Sequence, residues 1–296
     1  MLKPKVLVAA LASLGLVATA ASAVEPASPH TVTGNVSFLS DYIVRGVSQT
    51  NNKPAIQGTI EYGHSSGFYA GLFGSNVSWL GDGWEPAAPG VNGNVYGGAG
   101  SNSISASLEI DAYAGYRNKF AGDFFYDVGA VYYWYPGEYR ITGTRGLRNG
   151  NTTEVYGAVG WKWITAKVWY AVSDGVFMIP NASGTTYFNL SATVPIMDTG
   201  FSVVGAVGTW KWSGTADYLD TANGGVGAKN SIYDLVDYKI GVTKDFLGLT
   251  FGAFYWGSTA DKSIIGSTGI ETGAWGNKFG SNVGDDTFYV GVTKAF

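Results

Sequence analysis

The chain has 296 residues, a formal net charge of −4, 14% charged and 15% aromatic residues, 44 glycines and no cysteine. A soluble domain of this length would carry about a quarter charged residues, and the lack of a basic block leaves nothing that points to nucleic acid. Without cysteine there are no disulfides, no lipid on an N-terminal cysteine, and no zinc or redox centre of the usual ligand types.

The N-terminus carries Lys3 and Lys5, an apolar run over 6–18, and small residues closing with Ala21-Ser22-Ala23. This is the pattern of a secretory signal with an A-x-A cleavage site. Residues 1–23 are expected to be removed, leaving 24–296 as one domain. Beyond the signal no stretch approaches the ~18 apolar residues of a spanning helix, so the mature chain is either soluble or a β-barrel.

Period-two alternation recurs from residue 31 to the end, and stretches of helical period are absent. In the segment 105–116, for example, Leu108, Ile110, Ala112 and Ala114 fall on one face and Glu109, Asp111 and Gly115 on the other. Twelve strands are expected, at 32–45, 54–63, 67–79, 103–117, 122–135, 152–162, 164–174, 184–195, 199–212, 231–244, 248–259 and 285–296. Connectors after even strands are tight, as at His64-Ser65-Ser66 and Asp245-Phe246-Leu247. Those after odd strands are long and rich in Gly, Asn, Ser and Asp (80–102, 136–151, 175–183, 213–230, 260–284), and only the first, around 48–53, is short. Short turns at one end and long loops at the other are the asymmetry of an outer-membrane barrel. The expected fold is therefore an all-β transmembrane antiparallel barrel of about twelve strands, with short periplasmic turns and long extracellular loops.

Aromatic residues gather at segment ends. Trp79, Trp134, Tyr135, Trp210, Trp212 and Trp256 lie toward the loops; Phe120, Phe125, Trp161, Trp163, Phe246 and Phe296 lie toward the turns. Two interfacial belts would produce this distribution, as would the core of a soluble β-sandwich. Partners expected from it are outer-membrane lipid and lipopolysaccharide. The terminal Phe296 is the feature by which barrel-assembly machinery would take the chain.

No catalytic, metal or cofactor site is expected. The only histidines, His30 and His64, lie before the first strand and in a turn, far from the loops where a barrel hydrolase would hold its base. The glycine runs 97–100 and 224–227 lack the strand-before, helix-after context of a nucleotide fingerprint. Asp285 with Asp286, and Asp217 with Asp220, could bind a divalent cation on the cell surface, but read more simply as solvated loop acids.

With the apolar face toward lipid, the inward set is Asp41, Arg45, Gln57, Glu61, Glu109, Asp111, Arg117, Asp127, Glu154, Lys162, Lys167, Asp237 and Lys239. Charges of both signs inside a closed barrel require water or ion pairs, because an unpaired charge in a dry interior costs too much. Twelve strands about 4.8 Å apart and tilted about 40° give a backbone diameter of ~24 Å. That leaves room for small solutes or ions unless a loop folds inward or the charges plug the lumen themselves.

The segment Ser40-Asp41-Tyr42-Ile43-Val44-Arg45-Gly46-Val47-Ser48-Gln49-Thr50, followed by Pro54-Ala55-Ile56-Gln57-Gly58, Gly67-Phe68-Tyr69-Ala70-Gly71 and Gly74-Ser75-Asn76-Val77, closely resembles the TorF porin family of Gram-negative bacteria. The match covers about residues 36–79 and departs at Phe73, where a tryptophan is expected; the strand rhythm extends the likeness to the end. The resemblance implies an outer-membrane barrel with a channel role and brings no defined substrate.

Within this segment Asp41 and Arg45, four apart on a strand, are expected to face the lumen, with Tyr42 and Val44 toward lipid and Gln57 and Glu61 able to bridge to Arg45. The function expected is passive diffusion of small solutes or ions. The alternative is a closed structural or adhesive barrel. The ending Val290-Gly291-Val292-Thr293-Lys294-Ala295-Phe296 nearly repeats Ile240-Gly241-Val242-Thr243-Lys244-Asp245-Phe246, so Lys244 and Lys294 are expected to lie along lipid and reach the periplasmic headgroups.

Overall fold

A computed structural model describes residues 28–82, 84–85, 103–140, 148–215, 229–260, 275–277, 279 and 281–296. The expected signal segment 1–23, the glycine runs 97–100 and 224–227, and Asp217 and Asp220 lie outside these residues.

Twelve antiparallel strands close into a barrel: β1 (His30–Leu39), β2 (Ala55–His64), β3 (Phe68–Asn76), β4 (Leu108–Ala121), β5 (Phe124–Trp134), β6 (Thr152–Trp161), β7 (Ile164–Ala171), β8 (Thr186–Pro195), β9 (Phe201–Lys211), β10 (Leu235–Phe246), β11 (Leu249–Ser258) and β12 (Thr287–Ala295). Each strand pairs with its neighbours in sequence, and β12 returns to β1. Closure leaves no edge, so every backbone ladder is satisfied without water, as a bilayer demands.

The alternation read in the sequence is the alternation of the wall. In β6, Thr152, Glu154, Tyr156 and Ala158 are buried inside while Val155, Val159 and Trp161 are exposed outside. Exposed Ile60, Leu72, Val128, Val168, Leu190 and Ile240 continue that apolar band around the barrel. In water a patch of this extent would drive association; in a bilayer it is the lipid face.

At one end the strands turn tightly. Leu247 and Gly248 both adopt positive φ, the combination of a two-residue hairpin whose twist suits its strands. At this end Phe68, Phe120, Phe124, Trp161, Phe246 and Phe296 are exposed outward, as an interfacial belt requires. Phe125 instead has the inward parity of Asp127, and its ring lies against Gly160.

The other end differs from the expectation in two ways. Of the six aromatics assigned to a loop-side belt only Trp134 faces outward; Trp79, Tyr135, Trp210, Trp212 and Trp256 are buried inside. Position along the strand was right, but parity decides the face, and Trp210 and Trp256 stand on inward positions. The first connection is also not short. β1 leaves the wall after Leu39, where Ser40 donates its N–H to the Val290 carbonyl and accepts the Val290 N–H on its hydroxyl.

Residues 40–54 then fold into the barrel as a hairpin, Ile43–Val44 against Val47–Ser48, turning at Arg45 and Gly46 with φ of 49° and 80°. Asp41 and Arg45 are inside, as expected. Tyr42 and Val44, expected toward lipid, are inside too, with Tyr42 buried and Val44 packed against the interior cluster.

Candidate functional site

The interior has two zones. Toward the long loops it is aromatic and closely packed. Tyr133, Trp169, Phe177, Tyr187, Trp210 and Trp275 pack with the inward hairpin, ring to ring at 5.2–6.3 Å. The guanidinium of Arg45 enters the centre of this cluster, 4.8 Å from the Tyr187 ring, 5.0 Å from Trp210, 5.5 Å from Trp169 and 5.9 Å from Phe177. Two parallel hydrogen bonds, 2.8 and 2.6 Å, run from its nitrogens to the Glu154 carboxylate. Tyr133 adds a third donor to that carboxylate at 3.0 Å.

The hairpin is tied at several points. Tyr42 donates to Glu109 at 2.7 Å, and Ser48 and Thr50 donate to Asp41 at 2.6 and 3.0 Å. Burial raises the Asp41 carboxyl above its ordinary value, and these hydrogen bonds offset part of the rise. At the tip, Gly46 lies so close to the far wall that a Cβ would stand 2.6 Å from the Asp237 Cβ and 3.0 Å from that of Ser258. Asp237 accepts from Tyr187 at 2.9 Å and from the Trp256 indole at 3.1 Å. Asp111 is fully buried beside Glu109, and apart from that carboxyl neither of its oxygens meets a donor. Between the hairpin and the rings is a cavity of about 20 Å³, lined by Tyr42, Glu109, Tyr133, Phe177 and Trp210 among others, space for about one water.

Toward the short turns the interior is polar. Asn35, Ser37, Thr59, Thr165 and Asn189 line it with small side chains. Arg117 pairs with Glu61, and its guanidinium lies 3.9 Å from the centre of the Tyr69 ring. Tyr69 donates to Asp127 at 2.5 Å and shares a 2.6 Å hydrogen bond with Tyr156. The Lys167 ammonium rests on the rings of Tyr156 and Trp169, at 3.7 and 4.5 Å, and that of Lys239 on Trp256 at 4.9 Å.

All eleven positions Asp41, Arg45, Gln57, Glu61, Glu109, Asp111, Arg117, Asp127, Lys167, Asp237 and Lys239 are therefore on the inside, as is Glu154. Lys162 is not: it sits in the β6–β7 turn, 3.9 Å from Asp123, with its ammonium over the Trp161 ring. Its positive φ places it beyond the last wall position. The expected bridges from Gln57 and Glu61 to Arg45 are absent as well. Gln57 donates to Ser75 and Glu61 pairs with Arg117, because the hairpin carries Arg45 across the lumen to β6.

Trp169 and Tyr187 are not among the inward residues expected from the sequence, although they share parity with Lys167 and Asn189, the signal that identifies them. His30 opens β1 opposite His64 of β2 at the short-turn rim, with Tyr62 and Ser66 as hydrogen-bond partners. Asp286 accepts from Tyr255 and Tyr238 at the loop end.

Wall and interior together define a twelve-stranded barrel of the outer-membrane class whose lumen holds buried charge. The chain belongs to the family described as "Bacterial protein of unknown function (Gcw_chp)", whose profile matches residues 23–296. No curated protein matches. Among solved structures it is similar to the KdgM porin, at 8% identity over 89% of this chain and 99% of that one, with a TM-score of 0.45. It is also similar to the NanC porin, at 9% identity over 89% and 99% with a TM-score of 0.45, and to the toluene transporter TodX of P. putida, at 10% identity over 91% and 90% with a TM-score of 0.45.

Proposed function

We propose that this protein is an outer-membrane porin of a Gram-negative bacterium, a passive diffusion channel for small solutes or ions. The observation that carries the reading is the closed wall, apolar outside and charged inside. A barrel needs only side-chain packing to fill its lumen, whereas this one lines it with Asp41, Arg45, Glu61, Glu109, Asp111, Arg117, Asp127, Glu154, Lys167, Asp237 and Lys239. The polar zone is the periplasmic vestibule, and the inward hairpin over 40–54 is the constriction. The resemblance of residues 36–79 to the TorF porin family agrees with this, as do the secretory pattern ending near Ala23 and the aromatic short-turn belt with Phe296. In this reading the protein is not an enzyme, and its partners are lipid, lipopolysaccharide and the assembly machinery.

The packing of the hairpin against the rings favours a second reading, a closed structural or adhesive barrel. Refolded protein in a planar bilayer separates the two. Stable conductance steps are expected of a porin. A folded, heat-modifiable barrel that stays silent, with the hairpin intact or loosened, would end the porin reading in favour of the second.

A further inference from the structure

We infer that the pocket filled by Arg45 is a recognition site for an organic cation bearing a guanidinium or ammonium group, and that the hairpin tip is its resident occupant. This rests on the channel reading above and names the class of solute.

The pocket is built for such a group. Glu154 offers both carboxylate oxygens in the plane that a guanidinium matches. Trp169, Tyr187 and Trp210 present ring faces within 5.5 Å of the same carbon, the arrangement that favours a desolvated cation.

Two further observations point the same way. Among the described residues the buried ionisable groups inside the barrel are six carboxyl groups (Asp41, Glu109, Asp111, Asp127, Glu154, Asp237), of which the hydrogen-bonded Glu109 and Asp111 need one proton between them, and three cations (Arg45, Lys167, Lys239); Glu61 and Arg117 cancel in a pair. An acidic lumen with low-dielectric walls concentrates cations and repels anions. Lys167 and Lys239 also lie on ring faces, so the wall that would pass a cation already solvates two of its own in this way.

When Arg45 is absent, Glu154 is left as a buried carboxylate among rings, and an external guanidinium is the group that restores its partner. A solute with a carboxylate in that place meets Glu154 and, beyond it, Asp111 and Asp237.

The test is conductance of the refolded Arg45→Ala barrel in planar bilayers with added arginine or, separately, glutamate. Arginine at millimolar concentration is expected to block Arg45→Ala, with glutamate having no effect at the same concentration. Adding Glu154→Gln should raise the half-blocking arginine concentration by about tenfold, the loss of one charge-assisted pair. If Arg45→Ala conducts and arginine fails to block it, or blocks no better than glutamate or independently of Glu154, the inference is overturned and the channel reading stands. If neither the wild type nor Arg45→Ala conducts although both are folded, the channel reading itself fails. Should Arg45→Ala not refold, Arg45→Gly, which also empties the pocket and suits the positive φ at this position, takes its place with the same outcomes.

Discussion

Arg45 and Glu154, 109 positions apart in sequence, meet across the lumen in two parallel hydrogen bonds, both side chains almost wholly buried. Taking two charges out of water is costly, and the pair persists because each is further satisfied, Glu154 by Tyr133 and Arg45 by the rings around it. The contact ties the hairpin to the opposite wall.

Removing one partner leaves the other charged, buried and alone. Arg45→Ala or Glu154→Ala should each lower the unfolding free energy of the refolded barrel by about 3–5 kcal/mol. The double variant should lose clearly less than the sum. Urea unfolding of the four proteins in lipid vesicles closes the cycle, and additive losses would mean that the two residues do not stabilise each other.

Gly46 is held where the hairpin tip meets the far wall. Its φ of 80° is left-handed, and a Cβ would run into Asp237 and Ser258. Gly46→Ala therefore meets both backbone strain, about 1–2 kcal/mol for an L residue in that region, and a clash with a wall that cannot yield. The tip should lift from β10, raising single-channel conductance above wild type while lowering stability. Unchanged conductance would show that the tip does not set the constriction.

The lipid face makes its own prediction. Ile60 and Val128 are exposed in the apolar band. Arginine at either should cost about 2–4 kcal/mol when the barrel unfolds from a bilayer, and most near the midplane. Ile60→Leu should be close to neutral. A face that met water would accept the arginine with almost no change.

The wall was legible in the sequence and the inward hairpin was not, for a physical reason. Alternation is local, so β6 or β10 could be read residue by residue, and the inward charges with it. Turn lengths separated a short-turn end from a long-loop end. Residues 40–50 carry the same alternation as a strand, and nothing local distinguishes a chain that continues in the wall from one that doubles back inside it. The dipeptide Arg45-Gly46 was the available signal, since its glycine suits a hairpin turn. The rings of Trp169, Tyr187 and Trp210 are legible by parity; position along the strand, which ignores parity, assigns Trp210 to the lipid interface and leaves the other two unnoticed.

Phe296 and Gly34 exchange two backbone hydrogen bonds, 2.9 and 3.0 Å, and the Phe296 ring covers the bare Cα of Gly34. This contact closes the barrel at its short-turn rim, with the ring left 71% exposed. Phe296→Ala keeps the backbone bonds and removes the ring. In vitro the barrel should lose little stability, since so exposed a ring is largely lipid-facing. In cells the amount reaching the outer membrane should fall several-fold if the ring is what the assembly machinery takes. Equal losses in both settings would assign Phe296 a packing role only.

Asp41 gives a pH dependence whose sign can be worked out. It lies in the hairpin, outside the barrel strands, and burial raises its carboxyl above the ordinary value of 3.8. A group whose folded value is raised prefers its proton in the folded state. Its contribution is therefore fully present below the unfolded value, about 3.9, and is lost as pH rises through the elevated folded one. Asp41→Asn cannot titrate and carries no such term. The stability of the wild type relative to Asp41→Asn should fall as pH rises from below the ordinary carboxyl range to above it, as read from urea midpoints in vesicles. A difference that stayed flat, or that grew with pH, would mean that the hydrogen bonds from Ser48 and Thr50 outweigh burial and hold Asp41 as a carboxylate.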